Sequence, residues 1–116
     1  MRIGTSPSES RVKLKLNWDQ VKTLAQRLLL RSSRWGSESE ESESALQEEV
    51  GWVEAIRRWA VEGATPDVDL RPLIRALSRV RGRVGAIQDE EMRIGMAKTL
   101  TETIRTLGEV AERLAG

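Results

Sequence analysis

Phosphate recognition is the chemistry for which this chain carries the most suitable residues. Arg71, Arg75, Arg79 and Arg83 recur every four positions, so on a helix they drift slowly along one face. A guanidinium is a planar fork of donors that matches two phosphate or carboxylate oxygens at once. No Asp or Glu occurs between residues 70 and 88, so the row has no carboxylate on its own helix. Two readings follow. The row contacts nucleic-acid phosphate, or it is a solvated face that pairs with an acidic segment of this chain or of a neighbour. A second set of cations alternates with apolar residues: Arg11, Lys13 and Lys15 on one side, Val12, Leu14 and Leu16 on the other.

Bond-making chemistry has less to work with. The 116 residues include no His, Cys, Tyr or Phe. Without Cys there is no thiolate nucleophile and no Cys-based zinc or iron–sulfur site. Without His, the commonest general base near neutral pH is missing, and Ser–His and Cys–His systems cannot be built. Carboxylates remain, but in unremarkable settings. Glu48-Glu49 and Glu90-Glu91 fall where helices should begin, and negative charge is favoured there. Glu54–Arg58, Arg105–Glu109 and Glu109–Arg113 have the spacing of surface ion pairs. Metal-binding bundles use a Glu-x-x-His pair, which this chain cannot supply. Gly82 and Gly85 lie within a helical pattern, where they would permit close helix packing, and form no phosphate-binding loop. No catalytic residue, cofactor or metal is predicted, and the chain is read as a non-enzyme.

The aromatics are Trp18, Trp35, Trp52 and Trp59. Trp52, Ile56 and Trp59 share one face of a helix and offer an aromatic anchor for a protein partner, the alternative being ordinary core. A homo-oligomer interface would serve both ends.

These residues must be positioned by helices. Residues 1–10 lack periodicity and suggest a disordered arm. Residues 11–16 read as one short strand. Asn17 then looks like an N-cap, with Gln20 completing a capping box and Leu16 and Val21 a hydrophobic staple. The first helix runs from Trp18 to about Arg31. Residues 37–44 alternate Ser and Glu and read as an acidic, low-complexity loop. Ser44 and Gln47 would box a second helix over about 45–62. Asp69 would cap a third, in which Leu70, Leu73, Leu77, Val80, Val84 and Ile87 form a core seam. Met96, Leu100, Ile104, Leu107, Ala111 and Leu114 form a fourth seam, rotated by roughly 130° from the third. Either Asp89 opens a new helix after a tight turn, the favoured reading, or one long helix shows two faces to two partners.

The segment from Ser10 to Leu24, an amphipathic basic strand before a capped helix, weakly resembles the opening of ribbon-helix-helix DNA-binding proteins. The resemblance covers about a fifth of the chain. It implies a strand paired across a dimer, with Arg11, Lys13 and Lys15 entering the major groove. The family next places a helix N-terminus against phosphate. Here that position holds Glu38, Glu40, Glu41 and Glu43, which would repel it.

The prediction is therefore a mainly α domain over residues 11–116, a three- to four-helix antiparallel bundle whose lone strand pairs with its twin in a homodimer. The expected function is non-enzymatic protein–protein interaction or assembly, the alternative being nucleic-acid binding. The longest aliphatic run is Leu28–Leu30 and no signal-like segment opens the chain, so a cytoplasmic protein without membrane contact is expected. The Glu- and Arg-rich composition would suit a thermophile. The net charge of +1 hides blocks of alternating sign: residues 1–35 carry +6, 36–64 carry −6, 65–88 carry +3 and 89–116 carry −2.

Overall fold

Helix α1 (Trp18–Ser32) begins where the sequence supplies a reciprocal cap. The Asn17 side chain accepts from the Gln20 backbone N–H, and the Gln20 side chain accepts from that of Asn17, both at 2.9 Å. In this computed structural model the described residues are 16–33 and 40–116, with side chains described in the second stretch from Leu46 onward. The expected arm at 1–10 and the expected strand, with Val12, Leu14, Arg11, Lys13 and Lys15, lie outside them. Of that strand only Leu16 is described. It is half-buried and packs against the core that includes Val21.

Helix α2 (Glu40–Gly63) starts earlier than its composition suggests. The expected acidic loop at 37–44 is helical from Glu40, and Ser44 is inside the helix instead of capping it. No Gly or Pro interrupts residues 37–50, Glu is a good helix former, and carboxylates are stabilised in first turns, so nothing stops the helix from extending.

Helix α3 (Arg71–Gly82) has Leu70 at its N-cap and Pro72 in its first turn. Asp69 is therefore one residue too early to be the cap, although its carboxylate still accepts from the Arg71 N–H. All six residues of the expected third seam are buried. The chain then breaks as expected. A 3₁₀ turn (Val84–Ala86) follows α3, and the Asp89 carboxylate caps helix α4 (Glu90–Ala115) by accepting from the Met92 N–H. The Arg93 guanidinium donates to the Ile87 carbonyl across this corner. A Cβ at Gly82 or Gly85 would meet nothing within 4 Å, so neither serves close packing. On α4 the buried stripe is Met96, Leu100, Thr103, Leu107 and Val110. This is a three-four alternation that leaves the expected Ile104, Ala111 and Leu114 half-buried at its edge.

The four helices share one core, and no strand occurs among the described residues. In space α1 packs on α3, α3 on α4, and α4 on α2, while α1 and α2 meet over a narrow seam. That seam is antiparallel: Trp18 near the start of α1 meets Trp59 near the end of α2, and Arg31 near the end of α1 meets Glu49. α2 and α4 run in the same direction, since Arg57 pairs with Glu102 and, one turn on, Val61 borders the same groove as Thr106. The bundle is thus up-and-down along the chain but not antiparallel at every neighbour. No helix in the described residues is long and apolar enough to cross a membrane.

Candidate interaction surface

The arginine row of α3 is exposed from end to end. Arg71 is engaged by the carboxylate just ahead of the helix, with Nε 2.9 Å and Nη2 3.0 Å from the two Asp69 oxygens. The side-chain hydrogen bond from Arg71 holds the Asp69 carboxyl below its ordinary 3.8, and Asp69 in turn raises Arg71. Arg75, Arg79 and Arg83 make no ion pair with any described residue. The row is three open guanidiniums beyond one closed pair.

The helix order explains why they stay open. α3 lies between α1 and α4 and shares no substantial packing face with α2, where the acidic block of the chain resides. Its neighbour α1 is itself cationic, with Lys22, Arg27 and Arg31 against Asp19. The sign alternation along the chain is converted by the fold into sidedness. α1 and α3 form a cationic side, while α2 and α4 both carry an excess of carboxylate. Between α2 and α4 runs an open groove of about 370 Å³ lined by Glu54, Arg57, Arg58, Val61, Glu62 and Thr106. Arg57 is tied to Glu102 at 3.1 Å, whereas Glu54 and Glu62 are exposed and free of ion pairs among the described residues.

The tryptophan face is placed differently. Ile56 is fully buried and Trp59 is 8% exposed, its ring stacked on Trp18 at 5.5 Å between centroids and 17° between planes. These two are core of this chain and have no surface left for a partner. Of the expected anchor patch at Trp52, Ile56 and Trp59, the last two are therefore ordinary core, and Trp52 is half-buried beneath the Arg31 guanidinium at 5.0 Å. The helix is wide in its apolar face because it contacts both α4 and the Trp18 end of α1.

Arg31 also reaches Glu48 Oε1 at 3.2 Å and Glu49 Oε2 at 2.9 Å. Glu49 is fully buried. It is expected, with Glu48, at a helix N-terminus, but it lies well inside α2. Its signal was the spacing: Leu46, Glu49, Val53, Ile56 and Ala60 step by three and four, so Glu49 occupies a core position on the buried stripe. Among the described residues no three acidic side chains gather where a metal ion could bind.

No protein-family model, no curated protein and no solved structure matches the chain.

Proposed function

We propose that the chain is a non-enzymatic interaction module that assembles with copies of itself. The observation that supports this is the sidedness of charge. Arg75, Arg79 and Arg83 stand open on the α1/α3 side, while the carboxylate excess of the same chain lies on α2, which shares no substantial packing face with α3, and on α4, which packs on α3 without an ion pair to the row among the described residues. Opposite charges on separate sides of one molecule complement each other only between molecules. The test is light scattering against protein concentration at about 0.05 and 0.5 M salt. Concentration-dependent mass at low salt that collapses to monomer at high salt is the expected result, and a monomer under all conditions refutes the reading.

Nucleic-acid binding is the second reading. It is favoured by the same three unpaired guanidiniums, which rise by about 6 Å per step along α3. Together with Arg71 and with Arg11, Lys13 and Lys15 they would contact phosphate. Binding of a short duplex or single strand that weakens steeply with salt would support it.

A further inference from the structure

The symmetry of the assembly follows from where the two charged sides lie, and this step rests on the assembly reading above. A two-fold contact presents the same patch from both copies. Centred on the α3 arginine row it would set guanidiniums against guanidiniums, and centred on the α2/α4 groove, where Glu54 and Glu62 flank Arg58, it would leave the arginine row uncovered. Because α3 and α2 stand across the bundle from each other, one two-fold patch cannot hold both.

We infer that the arginine row of α3 docks in the α2/α4 groove of a second copy, a head-to-tail contact that leaves one free site of each kind at the ends of every assembly. The two surfaces match in spacing as well as in sign. Glu54 and Glu62 are eight residues apart on α2, as Arg75 is from Arg83 at the C-cap of α3, and each pair spans about 12 Å at the helical rise. Val61, 52% exposed between the two carboxylates, supplies apolar area that the aliphatic stems of the arginines cover. Arg58, also exposed in the groove, opposes the incoming row.

The test uses neutral substitutions on exposed positions, so that no new attraction is created. Arg75→Gln/Arg79→Gln removes the cationic site and keeps the groove, and Glu54→Gln/Glu62→Gln does the reverse. Circular dichroism of each full-length variant establishes that it is folded. In light scattering at low salt the wild type is expected to grow beyond a dimer, and each variant alone is expected to lose about tenfold or more in association constant. An equimolar mixture of the two variants should form a 1:1 heterodimer that does not grow, since each supplies the site the other lacks. Arg58→Gln, which removes the opposing charge from the groove, should strengthen growth. If the wild type assembles but the variants assemble equally well, or their mixture remains monomeric, head-to-tail docking is wrong while self-assembly stands. If the wild type is monomeric at every salt concentration, both fail, and a salt-sensitive shift of duplex DNA by that monomer would assign the arginine row to phosphate.

Discussion

Replacing Arg31 by Met tests the energetics of the α1/α2 seam. The substitution keeps a long, flexible, apolar side chain against Trp52 but removes the charge that faces buried Glu49. Removing one partner of a buried ion pair costs about 3–5 kcal/mol, because the remaining charge is left in a medium that solvates it poorly. Here the Arg31 side chain is 36% exposed, so water reaches one end of the pair and the low end of that range applies, about 3 kcal/mol. Loss of the guanidinium from the face of Trp52 adds about 0.5 kcal/mol. The Glu48 contact adds little, since that carboxylate is 57% exposed. Urea unfolding followed by circular dichroism measures the total, and Trp fluorescence reports the seam directly. The double variant Arg31→Met/Glu49→Leu should recover most of the loss, because an apolar pair of similar volume carries no desolvation cost. A single-variant cost below about 1 kcal/mol, or a double variant less stable than Arg31→Met, would refute the claim that the Arg31 contact stabilises the buried Glu49 side chain.

The remaining predictions concern backbone, caps and solvent. Gly51→Ala, where a Cβ meets nothing within 4 Å, should stabilise α2 by about 0.5–1 kcal/mol. Gly63→Ala should fail to gain this and should alter near-UV circular dichroism, because its Cβ would stand 3.1 Å from Trp59 Cδ1 and press on the Trp18 stack. Asn17→Ala should cost about 1 kcal/mol in urea unfolding by removing the α1 cap. Asp69 has a depressed pKa, so its contribution is present above its unfolded value of 3.8 and lost as pH falls through the lower folded value. Asp69→Asn should therefore reduce the loss of thermal stability on acidification below that value, and an unchanged acid profile would count against the Arg71 bond. In dilute protein, added salt should raise the thermal midpoint by screening the i,i+4 repulsion along α3.

How much could be read from the sequence depended on whether a signal was local. The Asn17–Gln20 box and the phase change at Asp89 are short-range features, and both stand in the structure as expected. So does the third seam, where one strongly periodic stripe leaves a single way to bury it. Residues 40–44 are helical where the Ser/Glu run reads as loop, because such a run has nothing to bury, yet a helix can extend through it once it is anchored by its downstream turns. Burial of Trp59 and Glu49 depended on which helix lies beside which. Both residues sit on the narrow seam between α1 and α2, and only the packing order reveals that a Trp stack closes one end of it and an ion pair the other.

That packing order also explains why a chain so close to neutral is electrically two-sided. Each change of sign in the sequence falls between successive helices, so sequence neighbours differ in sign. Had the helices packed mainly with their sequence neighbours, cations would have met carboxylates within the chain and the net charge would describe the surface well. Instead the main contacts of α1 and α2 are with the helix two positions on, of like sign. The buried stripes of all four helices meet in one core, and burial of that apolar area is the dominant favourable term in packing them. Local repulsion at the surface is small beside that term, a few tenths of a kcal/mol per like-charged pair at about one helical turn. The charge pattern therefore does not direct the fold. It is carried by the fold to opposite sides of the bundle.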